Sequence, residues 1–152
     1  MVVYKHQLID FLLKARTKTY AGNQGETKPL LKGSKQFEYP SGDLLYRDIY
    51  NQGNKKFIGL ETLYFKSKPV WSMSYYGNFK KMSGQETNDI LKKALIDKKD
   101  EVRLWNKVTY KIGKYTYVNE GNGNVDEFDG VEQIIKQGEK IYFFYYAAAF
   151  IG

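Results

Sequence analysis

Cysteine is absent from the 152 residues, and histidine occurs once, as His6. Without thiols there are no disulfides and no thiolate metal sites. A single imidazole rules out a multi-histidine metal centre and argues against a histidine-based triad. No metal and no cofactor is implied. The opening stretch, MVVYKHQLIDFLLKAR, has no apolar run of signal-peptide length followed by a small-residue cleavage site. The longest apolar run, from Ile141 to Ile151, is about half a membrane span and rich in tyrosine. The expectation is a cytoplasmic protein that does not enter the membrane. Arginine is also scarce, limited to Arg16, Arg47 and Arg103.

What the chain has in excess is aromatic residues: 14 Tyr, 9 Phe and 2 Trp. Tyrosine at this level suits half-buried sheet surfaces, where the ring is covered and the hydroxyl keeps a polar partner. Apolar residues at 42% exclude a disordered chain. The formal charge of +7 favours polyanions, including nucleic acid, through a long-range field. The lysines are nonetheless scattered in pairs, at Lys55-Lys56, Lys80-Lys81, Lys92-Lys93 and Lys98-Lys99.

An offset of 71 residues aligns two stretches without a gap. Tyr39, Gly42, Tyr46 and Asn51 fall on Tyr110, Gly113, Tyr117 and Asn122. Phe57, Gly59, Glu61 and Tyr75 fall on Phe128, Gly130, Glu132 and Tyr146. Like pairs with like elsewhere, as in Trp71 with Tyr142 and Met73 with Phe144. Such self-similarity marks a duplicated supersecondary unit. The expected fold is a single α+β domain over 1–152, a tandem duplication of a helix followed by three to four antiparallel strands. Repeat 1 covers about 4–80 and repeat 2 about 83–152, related by a pseudo-twofold axis.

Each unit opens on a helical pattern. Tyr4, Leu8, Phe11, Leu12 and Ala15 form the first stripe, with Arg16 and Lys18 placed to suit the C-terminal dipole. Ser83 and Glu86 form a capping box ahead of Ile90, Leu91, Ala94 and Leu95. Strands are expected over 36–39, 44–50, 57–65 and 70–76, and again over 107–111, 115–120, 128–136 and 141–146. Short Gly- and Asn-rich connections make them meanders. Thr19 to Ser34, with three glycines and Pro29, reads as a long irregular loop.

Several of these motifs resemble a bacterial and archaeal family known as domain-of-unknown-function family 5680. They are Phe11-Leu12 with Ala15, Thr19-Tyr20-Ala21-Gly22, Tyr46-Arg47-Asp48 with Tyr50, Phe57-x-Gly59-x-Glu61 and Pro69-Val70-Trp71-x-Met73-x-Tyr75-Tyr76-Gly77. The resemblance runs over essentially the whole chain and is most specific in the last motif. It implies a stand-alone domain, or one found behind XRE-type helix-turn-helix domains, and hence a regulatory or sensing role. It supplies no catalytic residues. The second unit departs from the pattern, ending Tyr145-Tyr146-Ala147-Ala148-Ala149 where a glycine-containing end is expected.

Strand alternation puts Glu61 among Phe57, Gly59, Leu63 and Phe65, and Glu132 among Phe128, Gly130 and Ile134. A carboxylate on an apolar face needs donors or a cation. The glutamates could therefore be a catalytic pair in a hydrolase-like enzyme, with carboxyl groups within roughly 10 Å of each other. The favoured alternative is that each accepts hydrogen bonds from tyrosine hydroxyls or turn amides and holds the sheet together. Asp48 shares a face with Tyr46 and Tyr50, as a hydrogen-bond hub or a ligand contact. The stripe of Trp71, Met73 and Tyr75, matched by Tyr142, Phe144 and Tyr146, reads as core, with a stacking platform for a planar ligand as the alternative. His6 lies off the helical stripe, in solvent.

Two sheets are expected to join or face each other, with a crease between the repeats as the natural site. Its candidate ligand-binding residues are Tyr46, Asp48, Glu61, Trp71, Tyr117, Glu132 and Tyr142, and no catalytic residue is assigned. The leading function is a non-catalytic binding or sensing domain for a small molecule or protein. Nucleic-acid binding through the lysine surface, catalysis by the paired glutamates and an oligomeric scaffold are the alternatives.

Overall fold

The structure, a computed structural model, describes residues 3–79 and 81–152. The expected boundary of the first repeat at position 80 lies outside the described residues. Helix α1 (Lys5–Lys18) is followed by strands β1 (Glu26–Thr27), β2 (Lys35–Ser41), β3 (Leu44–Gln52), β4 (Lys56–Phe65) and β5 (Lys68–Asn78). Helix α2 (Gly84–Asp97) then leads into β6 (Lys107–Ile112), β7 (Tyr115–Gly123), β8 (Glu127–Lys136) and β9 (Glu139–Phe150). The class is α+β, with two helices and one nine-stranded antiparallel sheet among the described residues.

The strand order is β1-β2-β3-β4-β5-β9-β8-β7-β6. Each half is a meander, and β5 meets β9 in the middle. The expected two sheets are thus one continuous sheet: pairing β5 with β9 gives two edges the backbone partners they would otherwise lack. β5 and β9 pair along Trp71–Asn78 and Phe143–Phe150, so the halves join through backbone hydrogen bonds. The β9 pairing also carries that strand four residues past the expected end at Tyr146, because Ala147 to Phe150 pair with Ser74 to Trp71.

One face of the sheet holds the core. Tyr46, Leu63, Trp71, Met73, Tyr117, Ile134, Tyr142 and Phe144 are buried there, together with Leu12, Ala15, Leu91 and Ala94 from the helices. The aromatic stripes of β5 and β9 are therefore core, as expected, since alternation turns every second side chain under the helices. The opposite face leaves Ile58, Leu60 and Tyr145 exposed, with the Tyr76 and Tyr145 rings stacked. No helix among the described residues is long and apolar enough to cross a membrane.

In α1 the expected stripe of Leu8, Phe11, Leu12 and Ala15 is buried, but Tyr4 precedes the helix as its N-cap and is exposed; the expected start of α2 holds. Ser83 Oγ accepts from the Glu86 amide at 3.1 Å, and the Glu86 carboxylate accepts from the Ser83 amide, closing the capping box. His6 is exposed. Another expectation changes. Glu26 and Thr27, inside the expected loop, pair with Phe37 and Gln36, so the loop contributes the short edge strand β1. Arg16 lies in the last turn of α1 as expected, but it does more than suit the dipole there, being buried on the sheet side of the helix. It follows Leu8 and Leu12 at intervals of four, which puts it on the stripe that α1 seats against the sheet.

Gly59 and Gly130 occupy matching places. Gly59 faces Tyr75 across the β4–β5 ladder, and Gly130 faces Tyr146 across the β8–β9 ladder. Each tyrosine ring lies over its glycine: a Cβ on Gly59 would sit 2.4 Å from the Tyr75 hydroxyl, and one on Gly130 would sit 2.3 Å from that of Tyr146. The missing side chain lets the tyrosine reach across a strand. Gly59→Ala should therefore cost about 1–3 kcal/mol through overpacking. Urea unfolding would register this as a lower midpoint at unchanged slope. An unaltered midpoint would mean that the Tyr75 ring has another resting place.

Candidate functional site

Tyr75 uses this passage to reach β3. Its hydroxyl crosses Gly59 and donates to Asp48 Oδ1 at 2.5 Å. Asp48 and Glu61 are direct register partners on β3 and β4, so two carboxylates stand side by side under the helices. Asp48 is 7% exposed and Glu61 3%.

Glu61 is fully engaged. Arg16 approaches through two nitrogens, with Nη2 at 2.7 Å from Oε1 and Nε at 3.0 Å from Oε2, and the Tyr46 hydroxyl donates to Oε2 at 2.5 Å. Burial alone would favour a protonated Glu61, but the Arg16 charge and these hydrogen bonds outweigh it and hold the carboxyl below its ordinary range. Arg16 Nη1 continues to the Arg103 carbonyl at 3.2 Å.

Glu132 has the same kind of shell. It accepts from the Tyr117 hydroxyl, from Tyr142 at 2.9 Å and from Arg103 through Nε and Nη2, each at 3.1 Å. Arg103 has a left-handed backbone, φ 55°, unusual for a side chain of its size. In that posture its amide donates to Asn119, its carbonyl accepts from Arg16, and its guanidinium lies 4.3 Å from the centre of the Phe144 ring.

Asp48 differs from both glutamates. Among the described residues Tyr75 is the one donor that reaches it. Burial, and then the neighbouring Glu61 charge, push its pKa up to about 7, against the partial relief given by Tyr75, Arg103 and Arg16. Burial, followed by the adjacent carboxylates, moves Tyr46 and Tyr75 well above the usual phenol range, so both remain donors.

Asp48, Glu61, Tyr46 and Tyr75 line a cavity of ≈ 50 Å³ between β3–β5 and α2. Arg16 and Arg103 flank it, Tyr20, Tyr50, Phe57 and Phe79 wall it, and Thr87, Asn88 and Leu91 come from α2. The Tyr20 hydroxyl donates to Asn88 Oδ1 at 2.5 Å, and the exposed residues Asn88 and Gln52 both belong to the cavity lining, marking its mouth. Of the seven expected site residues, the cavity thus gathers Tyr46, Asp48 and Glu61. Tyr117, Glu132 and Tyr142 form the second buried cluster instead, and Trp71 is fully buried in the core with its indole N–H unpartnered among the described residues. No group of three or more His, Cys, Asp or Glu side chains among the described residues is arranged to hold a metal ion.

Arg16 and Arg103 were missed as site residues. Arg16 could have been found from its place on the apolar stripe of α1, combined with the demand of Glu61 for a cation. Nothing comparable marks Arg103, which follows α2 in an irregular segment and has no counterpart at the 71-residue offset.

These environments fix how stability should respond to pH. A folded value near 7 means that native Asp48 keeps a proton that the unfolded chain releases near pH 4. Its contribution makes stability fall as pH rises from about 4 to about 7, by up to about 1.4 kcal/mol per pH unit, and level off above. Glu61, held low, acts in the opposite sense, and its contribution is lost as pH drops through its folded value. Asp48→Asn should flatten the slope between pH 4 and 7 in urea unfolding, and a slope left intact would contradict the assignment. Arg16→Met should cost about 3–5 kcal/mol by stranding Glu61, and adding Glu61→Gln should restore a large part of it.

A family model described as a domain of unknown function, DUF5680, matches residues 48–151. The matched span holds Asp48, Glu61, Arg103 and Glu132, while α1 with Arg16 and the early motifs from Phe11 to Arg47 lie before it. No curated protein and no solved structure matches the chain. With more than half of its length covered by that match, the chain belongs to the DUF5680 family.

Proposed function

We propose that the protein is a cytoplasmic, non-catalytic binding or sensing domain whose site is the cavity between β3–β5 and α2. The observation that carries this reading is Asp48, nine-tenths buried in the cavity wall and offered a single donor among the described residues. Buried polar groups are normally fully satisfied. One left partly open beside aromatic walls is the pattern of a ligand site. The glutamates support a non-catalytic role, because each is clamped by an arginine and by tyrosine hydroxyls. Carboxylates so held orient their neighbours and have little freedom to exchange protons with a substrate.

The proposal includes a tandem duplication about a pseudo-twofold axis. Asp48 pairs with Glu61 as Asn119 pairs with Glu132, and the β4–β5 and β8–β9 ladders slip register at matching places, Leu63/Tyr64 and Ile134/Ile135. At the seam Tyr75 faces Tyr146, its own counterpart at the 71-residue offset. Equivalent residues facing each other across an antiparallel pair are what a twofold axis through the sheet requires. The cavity draws on both units, with its floor from the first and α2, Arg103 and Phe144 from the second.

Thermal-shift screening against amines, amino acids, nucleosides, sugars and a single-stranded oligonucleotide tests the proposal, run in parallel on Asn88→Trp, which fills the mouth. At least one small-molecule class should raise Tm in the parent and fail to do so in the variant. Stabilisation unaffected by Asn88→Trp, or none at all, would overturn the site. Oligonucleotide binding that falls steeply with salt and survives the substitution would move the function to the lysine surface.

A further inference from the structure

We infer that this cavity receives an organic monocation, an ammonium or guanidinium head group that donates to the open carboxylate oxygen of Asp48. The inference rests on the binding role proposed above and names the chemical class of the ligand.

The first support is a count of buried charge. Two guanidiniums, Arg16 and Arg103, stand among three carboxylates, Asp48, Glu61 and Glu132. Arg16 is committed to Glu61 and Arg103 to Glu132, so among the described residues Asp48 is left without a cation of its own. A buried carboxylate in that position must take up a proton or acquire a positive partner. The cavity in front of it gives a partner room to enter.

The second support comes from the other half of the sheet. Asn119 stands opposite Glu132 as Asp48 stands opposite Glu61. The chain satisfies Asn119 by itself: Oδ1 accepts from the Arg103 amide at 3.0 Å, and Nδ2 donates to the Asn106 carbonyl and the Tyr146 hydroxyl, each at 3.0 Å. The Tyr146 hydroxyl donates in turn to the Leu104 carbonyl at 2.6 Å. The segment after α2 thus occupies the second position as a built-in ligand that brings an N–H. In the first half an acid replaces the amide, and the hydroxyl of Tyr20, after α1, is spent on Asn88 at the mouth. An external N–H donor is what the first position lacks.

Chemistry and size narrow the class. Aromatic residues Tyr20, Tyr50, Phe57 and Phe79 line the same cavity as the acid, and aromatic faces attract cations in preference to neutral groups. A volume of ≈ 50 Å³ admits a head group, leaving the remainder of the ligand at the mouth beside Gln52 and Asn88. The titratable and charged groups around Asp48 are Tyr46 and Tyr50 on β3, Glu61 on β4, Tyr75 on β5, Tyr20 and Arg16 from the α1 side and Arg103 after α2. Of these, Asp48 is the one that changes charge near neutrality, so a proton and the cation compete for it. Affinity at pH 8 should exceed that at pH 6 by about tenfold.

Calorimetric titration with benzylammonium and butylguanidinium, beside the neutral isostere benzyl alcohol, tests the assignment. N-acetyl-lysine methylamide forms a further arm that separates a free amine from a side chain of a partner protein. The cations should bind, the alcohol should not, and Asp48→Asn should weaken binding by at least about tenfold. That variant places in the first half the residue already present in the second, and urea unfolding checks that it folds. Equal binding of the alcohol, affinity that Asp48→Asn or the pH change leaves untouched, or silence from every cationic probe would falsify the assignment. If another class from the broader screen still binds and Asn88→Trp blocks it, the cavity keeps its role and the cation alone is refuted. If nothing binds, both proposals fall.

Discussion

A carboxylate carried on the face of a sheet that helices cover must find a positive partner or surrender its charge. This requirement arises at Glu61 and again at Glu132, and the fold meets it with two of the three arginines in the chain. Arginine suits the task because its planar fork can grip both carboxylate oxygens while a further nitrogen reaches a backbone carbonyl. Arg16 does both, holding Glu61 and the Arg103 carbonyl. The helix of one half is thereby bonded to the segment after the helix of the other. Tyrosines complete the shells, which gives one structural reason for a core rich in phenols. Replacing such a network by apolar residues need not weaken a protein. Its clearer effect here is positional, since Glu61 and Glu132 fix where α1 and the post-α2 segment lie.

The two halves solve neighbouring problems in different ways. Around Asn119 the chain folds back on itself and supplies every partner, with a strained backbone at Arg103 as the local cost. Around Asp48 the corresponding space stays open to a cavity. The matched positions thus differ in what fills the space beside them: the chain's own backbone and side chains at Asn119, and the cavity at Asp48. The third arginine, Arg47, points away from this chemistry and pairs with Glu38 on the adjacent strand.

Much of the fold was legible because it depends on local pattern. Alternation in β4 and β8 placed Glu61 and Glu132 on the buried face, and the Ser83–Glu86 box marked the start of α2. The pairing of β5 with β9 was not legible, because sequence pattern fixes which side chains of a strand are buried and says little about which edge its backbone will join. The same limit hid the position of the cavity. Trp71, Tyr117 and Tyr142 sit on the expected face, yet the cavity lies where α2 covers the first half, a matter of helix placement. Arg103 depends on an irregular segment with positive φ, for which neither helical nor strand periodicity applies.

The strand order has a bearing on how the chain is made. β9 is the last strand in sequence, yet it lies at the middle of the sheet. During synthesis, β1 to β5 leave the ribosome with the β5 edge and its aromatic side chains waiting for a partner still to be translated. Tyr75 must wait for Tyr146, and the first half meanwhile presents an unpaired edge of the sort that chaperones shield and that neighbouring nascent chains can capture. Closing the sheet is therefore a late, long-range event, and the open pocket in the first half takes its final shape only when β9 and Phe144 arrive.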